Sequence, residues 1–142
     1  IDAVIAAAAA LDRLGWNDRI AERLDPEWFT PQVGQGALAL ESRLDDVSTR
    51  ELLATINDEQ AALRLTCERA FLAELGAGCS IPAAAYATLD GPLITLRGVM
   101  ADAEGYRVVR HSAQGTDAQA LGRDVARFVR DELGGGSLQS SR

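Results

Sequence analysis

Between Glu59 and Leu75 apolar residues recur at helical spacing. Leu63, Cys67, Ala70 and Phe71 fall on one face, and Glu74 intrudes on that stripe near its end. Beyond Pro82 the period changes to two. Ala83–Leu89, Leu93–Ala101 and Tyr106–Ser112 read as three extended segments. In the middle one, Ile94 and Leu96 point one way and Thr95 and Arg97 the other, the mark of a half-buried strand. Asp90-Gly91 predicts a hairpin turn between the first two segments, and Ala103-Glu104-Gly105 a second turn. Helical spacing returns with Ala118, Leu121, Val125, Phe128 and Val129, a helix capped by Thr116-x-x-Gln119 and closed at Gly134. Arg123, Arg127 and Arg130 lie mostly off this face and read as solvated. The pattern therefore predicts a helix, a three-stranded antiparallel sheet and a covering helix, with 135–142 as a flexible tail.

Before Asn57-Asp58, which offers a boundary, the signals are shorter. Residues 1–7 read as the end of a buried strand and Ala8–Leu14 as a short helix closed by Gly15. Trp16–Leu24 holds a helical turn or two, and Asp25-Pro26 and Thr30-Pro31 mark loop. Gly34-Gln35-Gly36 is a tight turn into Ala37–Glu41, a candidate strand. Ser48-x-x-Glu51 is a capping-box pattern opening a helix through Ile56.

Composition narrows the chemistry. The formal charge is -7, which argues against unspecific nucleic-acid binding. The apolar run at the start is too short to span a bilayer. All 14 basic residues are arginine, which removes lysine Schiff-base chemistry and a phosphate-loop lysine and leaves forks suited to carboxylates. Cys67 and Cys79 do not make a disulfide framework, and with the single histidine, His111, they do not make a zinc site. A reduced, cytoplasmic setting fits this usage. The chain opens on Ile1 and reads as part of something longer.

Cys67 falls in the apolar stripe and reads as core packing. Cys79 sits in Gly76-Ala77-Gly78-Cys79-Ser80-Ile81-Pro82, between the helical segment and the first extended one. Glycines on both sides let a bulky group approach the sulfur, and Pro82 breaks the segment from the helix. A thiol so presented can bond covalently to a substrate or cofactor, although a small residue filling a tight turn would look the same. A cysteine hydrolase is disfavoured, because His111 lies in a different motif and no general base is evident.

Several ordered motifs resemble those of the porphobilinogen deaminase (hydroxymethylbilane synthase) family. Glu68-Arg69-Ala70-Phe71-Leu72 followed by Gly78-Cys79-Ser80-Ile81-Pro82 is similar to its cofactor-attachment segment. Pro31-Gln32-Val33-Gly34-Gln35-Gly36-Ala37-Leu38 is similar to its Pro-x-x-Gly-Gln-Gly-Ala run, and Leu11-Asp12-Arg13-Leu14-Gly15 to a family helix end. Arg43-Leu44-Asp45-Asp46 and Thr49-Arg50-Glu51-Leu52-Leu53 match in the same order. The chain departs from the family at Ala77, where a second glycine often stands.

The resemblance implies an α/β three-domain fold whose C-terminal domain is α+β, of which this chain is roughly the C-terminal half. Residues 1–30 would end the second domain, 31–56 would return to the first, and 57–134 would form the third. The implied reaction joins four porphobilinogen molecules into hydroxymethylbilane with loss of ammonia, in tetrapyrrole and haem biosynthesis. It would start from a dipyrromethane cofactor held on Cys79 by a thioether. Arg13 would contact cofactor or substrate carboxylates, and Gln35 and Gly36 would line the hinge in a structural or weakly cofactor-contacting role. Arg43 and Arg69 would serve either carboxylates or interdomain ion pairs, with no choice between the two. The catalytic aspartate would lie in an N-terminal half outside this chain, so the chain alone is expected to be inactive and the full-length enzyme a monomer. The competing expectation is a non-catalytic α/β ligand-binding or regulatory module, because fold alone does not fix function.

Overall fold

The computed structural model describes residues 1–76 and 82–138. Its regular part is a sheet in the order β1-β2-β3, all antiparallel: β1 Ala83–Asp90, β2 Leu93–Ala101 and β3 Val108–Gly115. Two long helices cover one face. The first is α3, Glu59–Glu74, and the second is α4, Ala118–Arg127. Preceding them are α1, Ala8–Arg13, a 3-10 turn at Asn17–Arg19, and α2, Val47–Ala54.

Alternation along β2 sets the layers. Ile94, Leu96, Gly98 and Met100 are buried, and the residues between them are half-buried. Phe71 and Cys67 from α3 and Val125 and Val129 from the last helical segment close on that face, and all are fully buried. The hairpin signal holds, with one refinement. Asp90 pairs with Leu93, so the two turn residues are Gly91 and Pro92. Gly91 has φ +56°, and Pro92 holds its own φ negative, the sequence of signs in a II′ turn. In the β2–β3 loop the Asp102 carboxylate accepts the N–H groups of Tyr106 and Arg107 at 2.8 and 3.1 Å, and this pushes the start of β3 to Val108.

The α3–α4 pair packs tightly because α4 carries Gly122. A methyl added there would stand 2.4 Å from the Cys67 carbonyl oxygen and 2.7 Å from Cβ of Ala70, so only glycine lets the two backbones approach this closely. Two of the three arginines read as solvated, Arg127 and Arg130, instead clamp the helices, whereas Arg123 is exposed as expected. Nε of Arg127 donates to Glu74 Oε1 at 3.0 Å, and Nη1 of Arg130 donates to the Glu74 carbonyl at 3.0 Å. The second bond occupies a carbonyl that the end of α3 leaves without a helical partner.

Helix starts are set by aspartates that the capping-box patterns pass over. Asp46 caps α2 by accepting Thr49 N–H at 3.0 Å, and Ser48, the expected cap, donates to the same carboxylate. Asp117 caps α4 by accepting Ala120 N–H at 2.9 Å, one residue after the expected Thr116. Ionised side chains satisfy an orphan N–H more strongly than hydroxyls do. α2 also stops at Ala54, short of Ile56. At the other end, α4 widens into a π-helical turn, Phe128–Glu132. Phe128 thereby leaves the core and stacks on His111 at 3.9 Å between ring centroids. The expected flexible tail begins instead with a helical turn, α5, Gly135–Leu138, whose Gly135 is buried against Met100 and Val129.

Two expected strands are absent. Residues 1–7 and Ala37–Glu41 have no ladder partner and form no strand. Strands exist only as pairs, and neither apolar run meets a neighbour here. The Trp16–Leu24 helix reduces to the 3-10 turn. Leu38 and Trp28 stay more than four-fifths exposed. Several contacts tie this first part to the sheet layer and its helices. Val33 packs on the core, and Arg97 of β2 donates to the Glu27 carbonyl and pairs with its carboxylate at 3.7 Å.

Candidate functional site

The segment of greatest chemical interest joins α3 to β1, and its two flanks are fixed. On one side Leu75 is buried and Gly76, at φ +66°, closes α3 with its N–H on the Ala73 carbonyl at 3.0 Å. On the other, the Pro82 carbonyl accepts Ala101 N–H at 2.9 Å, extending the β1–β2 ladder by one bond. Cys79 and Ala77 lie between these flanks, outside the described residues.

A second element comes to the same helix. Residues 33–36 form a tight turn, as the two glycines predict. The Gln35 N–H bonds the Gln32 carbonyl at 3.0 Å, and Gln35 Oε1 accepts Gln32 N–H at 3.3 Å. Gly34 sits at φ +73°, a conformation that costs a residue with a Cβ. Its N–H points into Glu68 of α3, with Oε2 accepting at 2.9 Å. The other oxygen, Oε1, accepts the Ala87 N–H of β1 at 3.0 Å. One carboxylate, itself buried, therefore holds three elements in register: the Gly34-Gln35-Gly36 turn, α3 and β1. Gln35 and Gly36 stay exposed beyond that anchor.

The motif Glu68-Arg69-Ala70-Phe71-Leu72 contains this carboxylate without indicating its anchoring role. Its signal lay in the pattern: a carboxylate three residues before Phe71 and seven before Leu75, on the buried side of α3. Acidic residues at such positions need donors, and two backbone N–H groups supply them.

Of the two cysteines, Cys67 lies among the described residues. Cys67 is fully buried and reduced. Burial, with the neighbouring Glu68 charge adding to it, pushes its thiol up to about 12. At neutral pH it has almost no thiolate, the reactive form. It is a core residue, as expected.

Arg13 ends α1 and is exposed. Its neighbour Asp12 is held by Arg23, whose hydrogen bonds and charge keep the Asp12 carboxyl below its ordinary value. Arg13 makes no ion pair among the described residues, and no hydrogen bond ties it to the Gly34 turn. The site residues expected from sequence are thus brought together only in part. Gln35 and Gly36 share one anchored turn, Arg13 stands on a separate helix, and Cys79 lies outside the described residues. Arg43 pairs locally with Asp45 at 2.8 Å. Among the described residues no group of three His, Cys, Asp or Glu side chains could hold a metal ion, and no helix is long and apolar enough to cross a membrane.

Comparison with known proteins bears on both halves. Residues 62–131 match the family model described as porphobilinogen deaminase, C-terminal domain. Residues 1–51 match the model described as porphobilinogen deaminase, dipyromethane cofactor binding domain. Among similar curated proteins, the porphobilinogen deaminase of Acidithiobacillus ferrooxidans is 46% identical over 125 residues, 88% of this chain and 41% of the relative. That of Trichlorobacter lovleyi is 44% identical over 128 residues, 89% of this chain and 41% of the relative. That of an Exiguobacterium species is 42% identical over 126 residues, with 88% and 41% covered. The chain spans about two-fifths of the length of these relatives. Two models of one family, together with relatives above 40% identity across nearly nine-tenths of the sequence, agree with the ordered motifs: the chain belongs to the porphobilinogen deaminase family.

Proposed function

We propose that this chain is the cofactor-attachment portion of a hydroxymethylbilane synthase, an enzyme that joins four porphobilinogen molecules head to tail and releases ammonia at each addition. In this reading residues 1–30 end a second domain, 31–56 complete a first, and 57–134 form the third. The enzyme is a cytoplasmic monomer. The remaining N-terminal portion supplies the catalytic aspartate and most of the anion-binding cleft, so these 142 residues alone do not turn over substrate.

The observation that carries the reading is the burial of Cys67, which removes it as the nucleophile. The chemistry needs one nucleophilic sulfur, and Cys67 is buried with its thiol at about 12. Cys79 is then the candidate tether, between flanks pinned by α3 and by the β1–β2 ladder. A thioether resists water where a thioester or imine would not, so an anchored primer survives repeated additions. When bound, dipyrromethane supplies the pyrrole acceptor to which new units are joined.

The residues present suit such a group. Its acetate and propionate side chains call for arginine forks, and Arg13 has no carboxylate partner among the described residues. Gln35 and Gly36 offer a polar edge on a turn that Glu68 holds against α3 and β1. Arg13 binds carboxylate, the turn orients, and the Cys79 sulfur holds.

The test is intact mass of the enzyme made with its N-terminal portion. The expected mass includes a two-pyrrole adduct on Cys79 that colours with an acidic aldehyde reagent for pyrroles and is missing from Cys79→Ser and Cys79→Ala. A bare polypeptide mass from active enzyme, or full activity in both variants, would overturn the proposal. A bare mass with no activity would favour the ligand-binding module.

A further inference from the structure

Away from that site, a groove of about 500 Å³ runs along the outer seam of α3 and α4. Its floor is small: Ala70 and Ala73, beside the point where Gly122 lets the helices close. Its rim is polar, with Thr66 and Arg69 from α3, Gln119 and Arg123 from α4, and Glu74 at one end. Neither Arg69 nor Arg123 makes an ion pair among the described residues, whereas Arg127 and Arg130, one and two turns further along, are both engaged. The one carboxylate in the groove is already answered by Arg127 at 3.0 Å and Arg130 at 3.7 Å. A chain of formal charge -7 thus carries a locally cationic concavity.

We infer that this α3–α4 groove binds a small organic molecule carrying two or more carboxylates, with Arg69 and Arg123 gripping separate carboxylates from opposite helices. Two planar forks set apart on rigid helices select spacing as well as charge. The Gln119 side-chain amide adds a neutral donor beside Arg123 on α4. Backbones locked at Gly122 fix the separation of the two helices, so the site is preorganised. The open rim sets a modest affinity. The inference rests on this groove alone and stands or falls apart from the role of Cys79.

Tricarballylate is the probe, titrated into the 142-residue chain at constant ionic strength, with acetate and inorganic phosphate as controls. The readout is the proton–nitrogen NMR shift of arginine Nε–H and glutamine side-chain amides, with calorimetry for affinity. Saturable shifts at Arg69, Arg123 and Gln119 are expected, with a dissociation constant of about a millimolar or tighter. Arg69→Gln and Arg123→Gln should each weaken binding by about tenfold or more, and acetate should bind at least about tenfold more weakly than tricarballylate. Shifts that grow linearly without saturating, affinity unchanged in both variants, or phosphate binding as tightly as tricarballylate would each overturn the inference. Both arginines are exposed. Should one variant lose its dispersed spectrum, the other carries the same test.

Discussion

Glu68→Ala removes the acceptor of two backbone N–H groups in one step. Ala87 N–H is buried on the β1 edge beneath α3, and Ala87 itself is 1% exposed. Gly34 N–H is partly buried and can reach water if its turn lifts off α3. A stranded buried donor costs about 1–3 kcal/mol, and the second donor less once it finds solvent, so the sum is about 2–4 kcal/mol. Glu68→Gln keeps one acceptor oxygen and turns an amide N–H₂ toward the other donor, which places it at about half that cost. Urea unfolding followed by circular dichroism at 222 nm measures the difference. With an m-value of about 2 kcal/mol/M the alanine variant should lose about 1–2 M in midpoint, and the glutamine variant should fall between it and the parent. Amide hydrogen exchange adds a local reading, because Gly34 and Ala87 should both lose protection relative to their neighbours. A midpoint for Glu68→Ala indistinguishable from the parent, or unchanged exchange at both amides, would refute the idea that this carboxylate joins the turn to the sheet.

Three further outcomes follow from the same packing. Gly122→Ala places a methyl 2.4 Å from the Cys67 carbonyl, so α3 and α4 must part. A loss of about 1–3 kcal/mol is expected, lowering Tm by about 4 °C or more, and an unchanged Tm by scanning calorimetry would contradict the close approach. With Cys67 at about 12, iodoacetamide at pH 8 should modify it roughly a thousandfold more slowly than an ordinary thiol and reach it at a normal rate only in urea. Peptide mapping that finds Cys67 labelled at an ordinary rate in the folded chain would show the burial to be wrong. The hydrogen bond from Arg127, aided by the charges of Arg127, Arg130 and Arg123, keeps the Glu74 carboxyl below its ordinary value. Its folded pKa is depressed, so its stabilisation is complete above the unfolded pKa and fades as pH falls through the folded one. Glu74→Gln should therefore flatten the acid limb of the stability curve and leave its alkaline side unchanged in shape. Parallel acid limbs for parent and variant would dispose of the clamp.

How much of this was legible follows the range of the forces involved. The β1–β2 hairpin was readable because the turn and both strands are local, and the core-facing positions of β2 and α4 because burial repeats every two residues or every turn. Cap identities failed by one or two residues at Asp46 and Asp117, since hydroxyls and carboxylates stood side by side and only geometry decides which one reaches the N–H groups. The strands expected at 1–7 and 37–41 failed for the opposite reason: apolar runs announce that they want a neighbour but not whether this chain contains one. Around the site, the Gly34 turn was visible as glycine punctuation. Its anchor was not, because the contact between Gly34 and Glu68 spans 34 residues and nothing in the local pattern of either partner names the other. Arg127 and Arg130, unlike Arg123, depart from the solvated reading for a related reason. Their partner Glu74 was noticed as an intruder on α3, but the pairing across 53 residues becomes visible only once Gly122 brings the helices together.

The widened turn at Phe128–Glu132 has an implication for chain length. A π turn accommodates one residue more than an α turn, and so resets the angular phase of everything after it by about 100°. Deleting a single residue there would restore α spacing, and the lost residue and the lost offset cancel, so Gly135 would keep its place against Met100. The C-terminal region should accordingly accept the loss of one residue within Phe128–Glu132 far more readily than the loss of one within α4, where no widened turn takes up the change.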